Sequence, residues 1–324
     1  MLLSVVLFAV GLVLLIKGGD WFVDGATGIA KRFHLPDIVV GATVVSIGTT
    51  LPEVMVSTTG ALLGSGAMAY GNAIGSIICN TALIAAISIT CNPGPVNTKS
   101  MKTPAIFFFC SAALYCLASY VLGTFPRWMG FVMLSIFVVY TIMTVRNGLK
   151  NPDEAHEEEE EGGKPRTLLK ELILLAVGAA VIAVGADLLV EHGQVIALGL
   201  GVPETVVALL FVALGTSLPE LVTTITSLRS GHASLGVGNV IGANVFNLVL
   251  VSGVAVSLAP FDVPMENELL NTGLNMSLVF EIPVMLGVMC LMIFPALATK
   301  KLHRWQGIAL LGIYLAFCVC QFVL

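Results

Sequence analysis

Two short acidic motifs lie inside long apolar stretches of the chain, GTTLPE at residues 48–53 and GTSLPE at residues 215–220. A carboxylate deep in a membrane span is unfavourable unless it meets a cation, and such residues mark ion pathways. Every lysine and arginine except Lys17 lies near the end of an apolar stretch, so Glu53 and Glu220 have no basic partner at their own depth. The two carboxylates therefore predict a cation site.

Each motif also supplies neutral oxygen ligands. Glycine and proline in mid-span predict a broken helix, because proline removes one amide donor and clashes with the preceding turn. Such a break frees backbone carbonyls, which are tolerated in a membrane where they line a cavity or bind an ion. We expect carbonyl or hydroxyl oxygens from Thr49 and Thr50 in the first motif, and from Thr216 and Ser217 in the second.

A second repeated element follows each motif, GNAIGSIICN at residues 71–80 and GNVIGANVFN at residues 238–247. A spacing of four places three positions of each element on one helical face. These positions are Asn72, Ser76 and Asn80, and then Asn239, Ala243 and Asn247. We expect the first asparagine of each element to bond between helices and the glycines to allow close packing. For the last asparagine of each element, the sequence favours neither an ion contact nor a structural role over the other. Such all-oxygen ligands suit calcium or sodium and disfavour zinc or copper.

The motifs belong to a longer internal duplication. Glu220 follows Glu53 by 167 residues, and Asn239 follows Asn72 by the same interval. The same offset relates further pairs, namely Pro36 and Pro203, Gly75 and Gly242, and Asn80 and Asn247. Such a series of matches at one offset indicates two copies of one unit.

Composition places the chain in a membrane. Its 324 residues are 57% hydrophobic and 11% charged, with a mean hydropathy of +0.97. A soluble domain carries about 25% charged residues, so we predict an all-α polytopic membrane protein. The net charge of −5 and the acidic run Asp153 to Glu161 argue against a nucleic-acid partner. Apolar runs predict ten transmembrane helices, at residues 3–30, 36–63, 67–90, 104–122, 128–146, 168–197, 203–228, 234–258, 278–297 and 305–323.

One polar segment separates five spans from five. This divides the chain into a first repeat at 1–146, an acidic cytoplasmic linker at 147–167 and a second repeat at 168–324. Since five is odd, the two repeats must be inverted, which is an architecture of secondary transporters. With the N-terminus outside, thirteen of the fifteen basic residues face the inner side, so both termini should be extracytoplasmic.

The remaining charged residues are weaker candidates for ion binding. We interpret the linker as solvated, because five consecutive glutamates lack the spaced ligands of an EF-hand loop. We expect structural or gating roles for the acids of spans one and six, and capping roles for two acids that follow prolines. These acids are Asp20, Asp24, Asp187 and Glu191, and then Asp37 and Glu204; Lys17 is placed to pair with Asp20. The seven cysteines show no zinc or disulfide spacing.

In its paired motifs the chain resembles the calcium/cation antiporter superfamily, and specifically prokaryotic sodium/calcium exchangers. The two GT[TS]LPE segments and the two GN-x-IG-x4-N segments are similar to that family's paired alpha repeats. The resemblance implies an antiporter rather than an enzyme, exchanging Na⁺ for Ca²⁺ by alternating access and moving net charge. We expect a multi-pass protein of a prokaryotic plasma membrane that works as a monomer, has no cofactor and has Na⁺, Ca²⁺ and the lipid bilayer as its partners.

The resemblance also implies the ligands. Calcium would be held by Glu53 and Glu220 together with backbone oxygens of Thr49 and Thr216. The sodium sites and central asparagines map to Ser46, Thr49, Thr50, Ser76 and Asn80 in one half, and to Ala213, Thr216, Ser217 and Asn247 in the other. Asn247 stands where many members carry aspartate, and Ala243 where a serine is common. Thr49 and Thr216 stand where proton-coupled relatives tend to carry asparagine, which favours sodium coupling.

Three alternatives differ in what drives transport or in the kind of protein. A proton/calcium or other cation antiporter would use a pH gradient without sodium. A cation channel would pass ions down their gradient without a counter-ion. An intramembrane enzyme would use the glutamates for acid–base chemistry, but the sequence contains no HExxH motif, no GxSxG motif and no phosphate loop.

Overall fold

The computed structural model describes residues 2–150, 167–200, 215–264 and 275–323, which are almost entirely helical. The helices are α1 (Leu2–Phe33), α2 (Asp37–Thr49), α3 (Leu51–Leu62), α4 (Gly66–Cys91), α5 (Thr98–Leu122), α6 (Arg127–Leu149), α7 (Leu168–Gly199), α8 (Leu218–Arg229), α9 (Ala233–Leu258), α10 (Ser277–Thr299) and α11 (Arg304–Val323). Within the described residues, seven helices are long and apolar enough to cross a membrane, and the bent pair α2 and α3 would make an eighth crossing.

Most helices begin and end within a few residues of the predicted spans. The largest difference is α5, which begins at Thr98 rather than at residue 104. The side chain of Asn97 accepts hydrogen bonds from the backbone amides of Lys99 and Ser100, at 2.9 and 3.2 Å. This cap lets the helix begin in a polar turn before the apolar run. Part of the predicted span 203–228 falls on residues 201–214, outside the described residues, so the count of ten stays a prediction.

Two long helices, α1 and α7, pack against each other and lie towards the outside of the protein. Only 22% of the apolar window of each is buried. Glycines allow their backbones to approach closely. A Cβ atom at Gly11 would stand 2.9 Å from the carbonyl oxygen of Gly185, and one at Gly18 would stand 2.9 Å from the amide nitrogen of Ile182. The pair therefore forms a tightly packed unit.

The central helices are α4 and α9, whose apolar windows are 72% and 83% buried. Each contains a π-helical turn, Asn80–Ala85 in α4 and Asn247–Val251 in α9. The two turns begin 167 residues apart, at the last asparagine of each repeated element. Further π-helical turns lie in α2, α5 and α10, at Gly41–Val45, Leu117–Leu122 and Ser277–Glu281. The repeated sequence thus produces the same local distortion twice at the centre of the protein.

In the part of the chain that the structure describes, four two-residue strands are exceptions to the all-α prediction. They are β1 (Gly94–Pro95), β2 (Thr124–Phe125), β3 (Phe261–Asp262) and β4 (Lys301–Leu302). β1 pairs antiparallel with β4, and β2 pairs antiparallel with β3. Each pair joins a loop of the predicted first repeat to a loop of the predicted second repeat. The strands are too short to change the fold class, but they tie together connections far apart in the chain.

Candidate cation site

The first acidic motif forms the predicted helix break. Helices α2 and α3 are bent by 45°, and only Thr50 separates them. A proline stands in the first turn of both α3 and α8, where its missing amide hydrogen removes no helical bond. In the second motif, Thr216 and Ser217 form a turn that leads directly into α8. Glu53 and Glu220 consequently occupy the first turns of α3 and α8, where the helix dipole favours negative charge.

The two glutamates are completely buried and lack hydrogen-bond partners. Glu53 and Glu220 are each 0% exposed, and none of their four carboxyl oxygens has a partner. The two carboxyl groups lie close enough to repel each other electrostatically. Among the described residues, no basic side chain lies within ion-pair distance of either group. The two acids therefore come together where no described basic side chain compensates their charge.

Hydrogen bonds between the two copies hold the motifs together. The hydroxyl of Thr49 donates to Oδ1 of Asn239 at 3.1 Å. The matching bond runs from the hydroxyl of Thr216 to Oδ1 of Asn72 at 3.4 Å. Each motif therefore binds the repeated element of the other copy. The expectation that Asn72 and Asn239 bond between helices is confirmed.

Glu220 also lies against the first motif. Its carboxyl group is beside the hydroxyls of Thr49 and Thr50. Neither carboxyl oxygen is hydrogen-bonded to these hydroxyls in good geometry, and the hydroxyl of Thr50 has no partner at all. Thr49 and Thr50 are 2% and 0% exposed. These oxygens lie close to the Glu220 carboxylate without satisfying it.

The other predicted site residues that the structure describes are also buried. Ser46 Oγ lies 2.8 Å from the carbonyl of Gly41 and 2.9 Å from that of Asn239. Asn247 donates to the carbonyl of Ala243 at 3.0 Å, but its Oδ1 has no partner. Neither amide atom of Asn80 has a partner. Ser76 and Ser217 are buried as well, and Ala213 lies outside the described residues.

The site is rich in buried oxygen atoms without partners. They belong to Thr50, Glu53, Asn80, Ser217, Glu220 and Asn247. Burying a polar group without a hydrogen bond is unfavourable, and burying an unpaired charge is far more so. Within the described ranges, no group of three or more histidine, cysteine or acidic side chains is arranged to hold a metal. Two carboxylates with neutral oxygens fit a hard cation carried as substrate better than a zinc-type site.

Glycines of the second element allow the central helix to approach the broken helix. A Cβ atom at Gly242 would stand 2.6 Å from Cα of Ala42, and one at Gly238 would stand 2.9 Å from Cα of Ile38. The predicted packing role is confirmed at these two positions. At Gly71 and Gly75 no described atom would come within 4 Å of a Cβ. The segment that matches Ile38 to Ser46 is 205–213, outside the described residues.

The remaining acids lie elsewhere. Lys17 and Asp20 form the expected ion pair at 3.8 Å, on an exposed face of α1. Three further acids are exposed on α1 and α7: Asp24, Asp187 and Glu191. Asp37 begins α2 after Pro36 as predicted, and its Oδ2 lies 2.6 Å from Nδ1 of His232, a contact that the sequence did not predict. Glu204 falls outside the described residues.

Sequence reasoning missed a polar face beyond the second glutamate. Thr224 and Ser227 are 2% and 0% exposed, and neither hydroxyl has a hydrogen-bond partner. Their spacing of four and seven residues from Glu220 is a detectable signal, because those positions share one helical face. A search for polar residues on the helical face that carries Glu220 would have identified them.

Comparison with known proteins gives matches over nearly the whole chain. A family model described as sodium/calcium exchanger protein matches residues 3–146 and 170–323. Membrane protein MJ0091 of Methanocaldococcus jannaschii is 32% identical over 97% of each chain. The sodium/calcium exchanger MaX1 of Methanosarcina acetivorans is 29% identical over 96% of each chain. A solved structure of the sodium-calcium exchanger NCX_Mj, soaked with 2.5 mM Na⁺ and 0.1 mM Sr²⁺, has a TM-score of 0.79 at 31% identity over 97% of each chain.

Proposed function

The chain belongs to the sodium/calcium exchanger family, and on this premise we propose that it exchanges Na⁺ for Ca²⁺ by alternating access, with net charge moved in each cycle. The family establishes a cation antiporter with membrane-spanning helices. The observation that carries the ion-binding part is the buried pair Glu53 and Glu220, whose four carboxyl oxygens have no partner. The names of MaX1 and NCX_Mj, which are sodium/calcium exchangers, support the choice of ions.

The proposed layout has ten spans in two inverted five-helix repeats, 1–146 and 168–324, joined by a cytoplasmic linker at 147–167. The reciprocal bonds of Thr49 with Asn239 and of Thr216 with Asn72 support a pseudo-two-fold relation. The basic residues support both termini outside the cytoplasm. In this proposal the protein works as a monomer in a prokaryotic plasma membrane, without a cofactor.

The proposed calcium ligands are the carboxylates of Glu53 and Glu220 with backbone oxygens of Thr49 and Thr216. The unpartnered acids and their buried surroundings support this assignment. The proposed sodium ligands and central residues are Ser46, Thr49, Thr50, Ser76, Asn80, Ala213, Thr216, Ser217 and Asn247. The unpartnered oxygens of Thr50, Ser217 and Asn247 support their inclusion.

Charge repulsion couples cation binding to the conformational change. Two desolvated carboxylates repel each other strongly, because Coulomb energy rises as the effective dielectric constant falls. An empty site therefore resists closure. One Ca²⁺ cancels the charge of Glu53 and Glu220, and so do two or more Na⁺ ions. Only a loaded site closes and crosses between the two access states, which makes the protein an exchanger rather than a leak.

Transport by purified protein in liposomes tests the proposal. ⁴⁵Ca²⁺ uptake is measured under an outward Na⁺ gradient, under an outward H⁺ gradient and without either gradient. Each measurement is repeated at several clamped membrane potentials. We expect uptake to require Na⁺ and to change with potential. Uptake driven by the H⁺ gradient alone would instead identify a proton/calcium antiporter. Uptake without any counter-ion gradient, and without exchange against internal Ca²⁺, would identify a channel.

A further inference from the structure

The face of α8 that carries Glu220 continues with two buried hydroxyl groups. Thr224 and Ser227 lie four and seven residues after Glu220 and are 2% and 0% exposed. A hydroxyl inside a helix can bond back to the carbonyl four residues earlier. Thr223 does so, donating to the carbonyl of Pro219 at 2.7 Å. Thr224 and Ser227 make no such bond, and their oxygens have no partner.

In the first copy, the hydroxyl at the position matching Thr224 is hydrogen-bonded to an asparagine. Ser57 lies 167 residues before Thr224, and its hydroxyl accepts a hydrogen bond from Nδ2 of Asn72 at 2.8 Å. The equivalent bond in the second copy would join Asn239 and Thr224. It is absent, since Nδ2 of Asn239 and Oγ1 of Thr224 both lack partners. In the second copy, the amide donor and the hydroxyl acceptor thus lack partners, whereas in the first copy the matching groups are bonded to each other.

The position that matches Ser227 also differs between the copies. Gly60 stands 167 residues before Ser227, and a Cβ atom there would stand 2.8 Å from Sδ of Met68. In the first copy, the apolar side chain of Met68 therefore packs against this position. In the second copy a hydroxyl is present instead. Of the two matching helices α3 and α8, α8 alone carries oxygens at all three positions, Glu220, Thr224 and Ser227.

We propose that Thr224 and Ser227 form an additional cation subsite, which holds a partly hydrated Na⁺ or Ca²⁺ between the Glu220 carboxylate of the central site and the Arg229 end of α8. Neutral hydroxyl oxygens are hard ligands that bind such cations weakly. Weak, consecutive sites let an ion enter and also leave, which conduction through a membrane protein requires.

The subsite rests on the proposed function, because a cation must reach Glu220 for these oxygens to serve it. In the proposed layout, the Arg229 end of α8 faces the cytoplasm. The subsite therefore belongs to the inner access route. Asp37, at the start of α2, lies beside His232 near that end and adds an acidic group to the same region.

The test is the double variant Thr224→Val with Ser227→Ala, which removes both hydroxyls and keeps similar volumes. Its matched control is Thr223→Val, on the same helix, whose hydroxyl is already bonded to a carbonyl. ⁴⁵Ca²⁺ exchange is measured in membrane vesicles of defined orientation, with Ca²⁺ titrated on one face at a time. We expect the KM at the Arg229 face to rise about five-fold, because each net polar contact contributes modestly. The opposite face should keep its KM, and the control should keep both.

A KM that is unchanged at the Arg229 face, or raised equally at both faces, would overturn the subsite. Equilibrium ⁴⁵Ca²⁺ and ²²Na⁺ binding to the purified protein gives a second readout that does not need transport. The double variant should lose a weak binding component while keeping the tight one, and its thermal unfolding midpoint should not fall, because the two hydroxyls it removes have no hydrogen-bond partner. If the weak ion-binding component is unchanged in the double variant, the two hydroxyls do not bind a cation and the subsite is rejected. Failure of wild-type exchange would instead reject the proposed function, and the binding measurement would still decide the subsite.

Discussion

The hydroxyl of Thr49 donates to Oδ1 of Asn239 over 3.1 Å, joining the broken helix of one copy to the central helix of the other. Thr216 and Asn72 form the same contact in reverse at 3.4 Å. Neither copy can complete its own motif, because the acceptor for each threonine is supplied across the duplication. The proposed cation site therefore needs residues of both copies.

Neutralising either buried carboxylate should abolish sodium-dependent calcium uptake. Glu53→Gln or Glu220→Gln removes one charge from a completely buried pair. A unit charge 4 Å from a cation is worth about 4 kcal/mol at an effective dielectric constant of about 20, so calcium affinity should fall about a thousand-fold. ⁴⁵Ca²⁺ uptake in proteoliposomes measures the loss. Asp24→Asn, on an exposed face of α1, serves as control and should retain much of the activity. Full transport by Glu53→Gln would reject the assigned site.

The bond between Thr49 and Asn239 should be measurable as a coupling energy. Thr49→Val, Asn239→Leu and the double variant form a thermodynamic cycle, read from unfolding in detergent. A net hydrogen bond contributes about 1 kcal/mol, so the two effects should fall short of additivity by about that amount. Strict additivity would show that the contact does not stabilise the assembly of the two copies.

Asn247→Asp should change the sodium dependence of exchange. The Oδ1 atom of Asn247 has no partner and the residue is 0% exposed, so aspartate adds a third negative charge to the centre. We expect an altered Hill slope for Na⁺ or an altered maximal rate. Asn147→Asp, at the exposed end of α6, is the control for a surface charge. An unchanged slope together with an unchanged rate would place Asn247 away from the ions.

Gly242→Ala should destabilise the protein, because the added Cβ would stand 2.6 Å from Cα of Ala42 in the broken helix. Overpacking of this kind costs about 1–3 kcal/mol, and the midpoint of thermal unfolding in detergent should fall accordingly. Gly287→Ala, where no described atom would lie within 4 Å of the Cβ, is the matched control and should have little effect. An equal response at both positions would contradict close packing of α9 against α2.

Much of the helical pattern could be predicted, because hydrophobic runs of membrane length have few alternative structures. The start of α5, six residues before the predicted span, shows what hydropathy cannot predict. A capping asparagine extended the helix into polar sequence, and hydropathy does not detect that. The π-helical turns at Asn80 and Asn247 could not be predicted either, because an extra residue in one helical turn does not change the composition or hydropathy of the segment.

The sequence by itself determined that two acids lie at membrane depth, that they come from duplicated motifs and that a proline breaks the helix before Glu53. Periodicity and spacing act locally, so they identify ligands and the faces that carry them. Only the tertiary structure decided which partner each residue takes. It paired Nδ2 of Asn72 with Ser57 and left Nδ2 of Asn239 and Oγ1 of Thr224 without partners, although the two copies have similar sequences. Two similar units need not pack identically, because each hydrogen bond depends on distances set by the whole assembly.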